Sequence, residues 1–208
     1  MLVGAFAKKV NKDRIVMFDK AIQTITDDGD TATAIDIYNG SKKDTIYAED
    51  AKIEQIVNGL ERGDLFRYAI SAKGYLNVIE KVFDAGDKKI SEGIDININD
   101  TAANSRNVFA DIYDRSDEII KITNVFRNNE LLNIDSSEVL KNDLLELHSL
   151  GLYRSNAGIA VYDEAEKQIR SATDDDIKTY SENPDKYSRV FVSTSYSEAK
   201  RMYIYNYK

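Results

Sequence analysis

"LERGDLFRYAISAKGYLNVIEKVFD", residues 60–84, holds the pattern on which the fold turns. A charged turn at Glu61–Asp64 opens into a run in which apolar and polar side chains alternate. Lys73-Gly74 then interrupts, and a second alternation follows. Alternation of period two places every second side chain on one face of an extended chain. A glycine between two such runs marks a hairpin. "YSRVFVSTSYSEAKRMYIYNYK", residues 187–208, has the same outline, with "SEAK" at its turn. In "MYIYNYK" the tyrosines 203, 205 and 207 fall on one face, and Met202, Ile204 and Asn206 fall on the other.

The same punctuation continues outward from these two hairpins. "FAKKVNKDRIVMF" (6–18) reads as a strand, a polar turn at Asn11–Asp13 and a second strand, and "AIQTIT" (21–26) is extended. "TATAIDIY" (31–38) and "DTIYAE" (44–49) read as strands separated by the turn residues Asn39-Gly40-Ser41. Ile53, Ile56, Val57 and Leu60 fall at i, i+3, i+4 and i+7, one face of a short helix that stops near Gly63. "GIDININD" (93–100) is a further strand, and "NDTAANSRN" (99–107) is the best linker. Past it, "VFADIYDRSDEIIKIT" (108–123) matches "AFAKKVNKDRIVMFD" (5–19) with a one-residue gap. "SATDDDIKTYSENPD" (171–185) predicts a second helix, near 174–182, capped at Thr173 or Asp174 and ended by Pro184. "SSEVLKNDLLELHSLGLY" (136–153) fits either a helix ending at Gly151 or a turn and the strand "DLLEL"; the repeat favours the strand.

These patterns predict a mainly β protein of two tandem small β-barrel or β-sandwich units, with one or two short helices. The expected units are residues 1–100 and 105–208.

Composition narrows the function. The 208 residues are 42% hydrophobic and 10% aromatic, with 13 tyrosines and no cysteine, so a packed core is available without disulfides. The net charge is −8. Each half carries 14 Lys/Arg and 18 Asp/Glu, so no basic half presents itself to a phosphate backbone. Nucleic acid is not an expected partner. No apolar run approaches the length of about 18 residues that a membrane helix needs, and "MLVGAFAKKVNKDR" lacks the pattern of a secretory leader, so neither a membrane nor a removed leader is expected.

Residues with catalytic potential lack their usual company. His148 is the sole histidine, without a nucleophile elbow or cysteine to join it. "TDDGD" (26–30) lacks the spacing of a calcium loop, and "TDDDIK" (173–178) is explained by capping. "RGD" at 62–64 reads as the turn before a strand. No catalytic, cofactor-binding or metal-binding residue is expected. Tyr203, Tyr205, Tyr207 and Ile204 on the terminal strand are the first choice for a contact with other chains, because tyrosine offers large area at low entropy cost. "GIDININD" is the second choice.

"LERGDLFRYAISAKGYLNVIE" also resembles a repeated element, roughly Leu-Lys-x-Gly-Asp, strand, Gly, strand. It occurs in small β-barrel repeats of surface-layer-associated proteins of Clostridium-like bacteria and in structural proteins of their phages. "IKTYSENPDKYSRVFVSTSYSEAKRMYIYN" is similar to the closing part of such repeats, although "SEAK" lacks the glycine. The resemblance implies a non-enzymatic role in an assembly. The resulting expectation is a structural component of an assembled particle, a phage virion made in the host cytoplasm. Its partners would be other subunits of the same assembly, as a homo-oligomer or in many copies. The alternative is a carbohydrate- or ligand-binding β-module at a cell or virion surface.

Overall fold

The computed structural model describes residues 15–26, 29–91, 106–116, 119–127, 130–131, 145–148, 158–195 and 198–207. The protein is mainly β. In the first half β1 (Ile15–Ile25), β2 (Thr31–Asn39), β3 (Lys42–Ala48), β4 (Leu65–Ile70), β5 (Leu76–Asp84) and β6 (Lys89–Ile90) form one sheet, with helix α1 (Ala51–Val57) between β3 and β4. In the second half β7 (Arg106–Arg115), β8 (Ile119–Arg127), β9 (Glu130–Leu131), β10 (Leu145–His148), β11 (Ala160–Asp163), β12 (Gln168–Ser171), β13 (Arg189–Ser195) and β14 (Glu198–Asn206) form the other. The stretch left open between helix and strand is a strand at Leu145–His148.

The strand orders are β3-β2-β1-β4-β5-β6 and β10-β8-β7-β13-β14-β11-β12, with β9 beside β8. The first five positions correspond. In each sheet the first strand pairs antiparallel with the second and with the first strand of the terminal hairpin. In each, the third strand meets the start of the last strand through a parallel bridge, Tyr47 to Tyr75 and His148 to Glu198. A helical turn precedes the terminal hairpin both times: α1, and a 3-10 turn at Asp174–Asp176. This connectivity is that of an OB fold, a five-stranded, partly open barrel. Among the described residues the closing contact is a single bridge in each unit. The β11–β12 hairpin is an addition within the second unit.

This corrects the alignment expected from sequence. β7 corresponds to β1, not to the segment before it, and β8 corresponds to β2. The extended 15–18 and 21–26 runs are one strand, bent by a register shift between Phe18 and Lys20. A bulge of this kind sharpens twist and lets one strand serve two sides of a barrel.

Three apolar clusters follow from the alternation. Val16, Phe18, Ile35, Ile37, Phe66 and Leu76 fill the first barrel, plugged by Ile53 and Val57 of α1. Val108, Ala110, Ile112, Val190, Val192, Met202 and Ile204 fill the second. The third cluster joins the opposite faces of the same strands: Ile15, Met17, Leu65 and Phe83 from one unit, Phe109, Phe191, Tyr203 and Tyr205 from the other. The two sheets therefore face each other across a shared core, and the faces that meet belong to corresponding strands.

Both helix expectations need adjustment. Asp50 caps α1 by accepting from Lys52 N at 2.8 Å and Ile53 N at 3.3 Å. Ile56, expected on the buried face, is 44% exposed, since a seven-residue helix presents too narrow a face to bury it. The helix expected near 174–182 is only the Asp174–Asp176 turn. Beyond it, Tyr180 N and Ser181 N donate to Ile112 O and Tyr113 O of β7, so at these two positions the backbone is satisfied along a strand and the helix does not continue.

Candidate functional site

The terminal strand decides how the two units are joined. Its three tyrosines leave β14 and its C-terminal end on the face opposite to Met202 and Ile204. Each hydroxyl donates to a backbone carbonyl of the first unit: Tyr203 to Ile15 O at 2.7 Å, Tyr205 to Gly63 O at 2.9 Å, Tyr207 to Ala85 O at 3.3 Å. Those acceptors stand at the start of β1, just before β4 and just after β5. One row of side chains thus fixes the ends of three strands. Burial holds all three hydroxyls well above the usual tyrosine value, so they remain donors.

Aromatic rings occupy the space beneath. The Phe83 ring lies 4.6 Å from Phe109, 5.2 Å from Tyr205 and 5.8 Å from Phe191. Tyr205 meets Phe109 edge-on at 5.8 Å and 85°. Such tilted arrangements suit the ring quadrupoles.

The segment 61–64 is shaped to receive this row. Gly63 has φ +96, and a Cβ there would lie 2.9 Å from Cδ1 of Tyr162. Both facts call for glycine. Asp64 is fully buried. Its carboxylate accepts from Glu61 N at 2.9 Å and Ala85 N at 2.8 Å and meets Lys81 Nζ at 2.7 Å. Burial raises the Asp64 carboxyl, opposed by Lys81 and the two amides. Arg62 donates to Lys167 O of the second unit at 2.7 Å and pairs with Asp19 at 2.9 Å. The Arg-Gly-Asp tripeptide is thereby engaged within the chain.

The expected interface residues are therefore placed differently from their reading in sequence. Tyr203 and Tyr205 are 0% exposed and Tyr207 is half-buried, within an interface between the two units of one chain. Ile204, also 0% exposed, lies on the opposite face in the second barrel. From Met202 to Tyr205 both faces of β14 are buried in the apolar cores. "GIDININD" lies outside the described residues, as do Asp27 and Asp28. His148 ends β10, paired with Ile119 and Glu198. Asp176 serves Arg170 and Thr173.

Two other surfaces remain. The outer face of β1–β3 carries Asp19, Lys20, Asp36 and Lys43. Lys43 bonds Asp19 at 3.1 Å and Asp36 at 3.2 Å, and Lys20 reaches Asp36 at 3.8 Å. These charges neutralise one another. The second surface is the far half of β1. β4 pairs with β1 only at Ile15–Met17, and backbone bonds from Phe18 extend that contact to Gly63 and Asp64. From Lys20 to Ile25 the strand pairs only with β2 among the described residues, and Ile22 and Ile25 are 52% and 73% exposed. Sequence reading missed this edge, because apolar residues at 22 and 25 look like core positions until the short reach of β4 is known.

The class that the geometry defines is a pair of OB-type units sharing one aromatic core. Compared with protein-family models and with curated proteins, the chain gives no match. No helix among the described residues is long and apolar enough to cross a membrane.

Proposed function

We propose that this chain is a non-enzymatic structural component of an assembled particle, a phage-like virion or a comparable surface assembly, acting through contacts with other protein subunits. The observation that carries the reading is the edge of β1 from Lys20 to Ile25, which among the described residues pairs only with β2. A sheet edge with unpaired backbone groups and exposed isoleucines accepts a neighbouring strand readily. Six residues, Lys20 to Ile25, match an ordinary strand in length. The shared core supports the reading, since it holds two units in one orientation and so gives neighbours a fixed spacing. The ion pairs over β1–β3 tie up cations that a nucleic-acid strand would require.

The test is Ile22→Lys with Ile25→Lys. Both side chains are exposed, so the thermal midpoint is expected to stay within about 2 °C of the parent, as surface changes usually do. Sedimentation velocity is expected to show the parent associating with concentration and the variant monomeric. Recovery of the variant in the native particle at parental levels would remove the edge from the interface. A parent that stays monomeric and turns over a substrate would remove the reading.

A further inference from the structure

We propose that a basic cavity at the end of β14 binds a hydroxylated phosphate monoester, with Lys88, Lys178 and Lys186 holding the phosphate. The cavity has a volume of about 550 Å3, within the usual range for small-molecule sites. It is lined by Lys88 from the β5–β6 turn, Asp163 from β11, Lys178, Asp185, Lys186 and Tyr187 from the loop before β13, and Arg189, Asn206 and Tyr207. Four cations face two carboxylates in a chain whose net charge is −8.

The cations are not equivalent. Arg189 pairs with buried Asp111 at 3.0 Å. Lys88, Lys178 and Lys186 have no ion pair among the described residues. Three lysines lining one cavity favour a multiply charged anion, and phosphate suits lysine as a point charge. A neutral sugar stacked on Tyr207 fits less well. Lys88 Nζ already lies 4.3 Å from the centre of that ring, Arg189 lies 5.6 Å from it, and the ring stacks on Tyr205 at 5.8 Å. The carboxylates point to hydroxyls on the ligand. Asp163 Oδ1 accepts from Ala165 N and Glu166 N, which holds the carboxylate in place to accept further hydrogen bonds. Lys88 comes from the first unit and the other cations from the second, so the ligand would bridge the units. This inference stands independently of the assembly reading.

Calorimetric titration of the full chain with glucose 1-phosphate, inorganic phosphate and glucose tests it. Glucose 1-phosphate is expected to bind and glucose to give no heat. Lys178→Gln with Lys186→Gln is expected to weaken binding by at least about tenfold without lowering the thermal midpoint. Lys73→Gln, in the distant β4–β5 turn, is expected to bind as the parent does. Inorganic phosphate binding as tightly as the ester would still support the lysine site and would remove the hydroxyl contacts. Four results would overturn the proposal: no heat with either phosphate, undiminished binding in the double variant, an equal loss in Lys73→Gln, or binding of glucose.

Discussion

At the scale of single residues, Tyr205 shows how a side chain can be apolar mass and polar connector together. Its ring packs against Phe83 and Phe109, and its hydroxyl reaches Gly63 O at 2.9 Å in a site without exposure. Removing the hydroxyl keeps the ring and orphans a buried carbonyl. Tyr205→Phe is therefore expected to lower stability by about 1–3 kcal/mol, read from the urea midpoint. An unchanged midpoint would mean that the bond contributes nothing net. Sequence showed that the tyrosines share a face, because period two is a local property. It could not show what that face meets. Ile15, Gly63 and Ala85 supply backbone atoms, which leave no mark in residue identity, and they lie 122 to 188 positions away.

At the scale of elements, the turn at Asp174–Asp176 replaces the expected helix and depends on one carboxylate. Asp176 accepts from Thr173 N at 2.8 Å and from the Arg170 guanidinium of β12. Arg170 holds the Asp176 carboxyl well below its ordinary value of 3.8. A carboxylate lowered in the folded state adds stability that is complete above its unfolded value and is lost as pH falls toward its folded one. The parent is thus expected to lose thermal midpoint faster than Asp176→Asn on acidification from about pH 5 to pH 2, followed by circular dichroism. Parallel curves would show that the pair is not coupled to folding. The hairpins β4–β5 and β13–β14, the strands β2 and β3, and the site of α1 were legible because turn residues and alternation are written locally. The correspondence between units was legible as a fact and wrong in register. Alternation is common to every strand, so the match of 5–19 with 108–123 could not say which strand was which, whereas the pairings of β1 and β7 do. The cavity was not legible at all, since its lysines come from positions 88, 178 and 186 and meet only after both units have packed.

At the scale of the whole molecule, the core between the sheets holds the two units together. Corresponding faces, β1-β4-β5 and β7-β13-β14, bury each other's aromatic rings, so each barrel completes the other. Neither half then has all its apolar surface covered alone, and the two should open together as one cooperative unit. Phe83 is the residue to probe, because it belongs to the first sheet and three of its ring contacts belong to the second. Phe83→Ala is expected to cost about 3–5 kcal/mol. Native-state hydrogen exchange on the parent and on Phe83→Ala measures where that loss appears. Protection is expected to fall by the same amount in β2 and β4 of the first sheet and in β13 and β14 of the second. A fall confined to the first sheet, with β13 and β14 as protected as in the parent, would contradict this expectation.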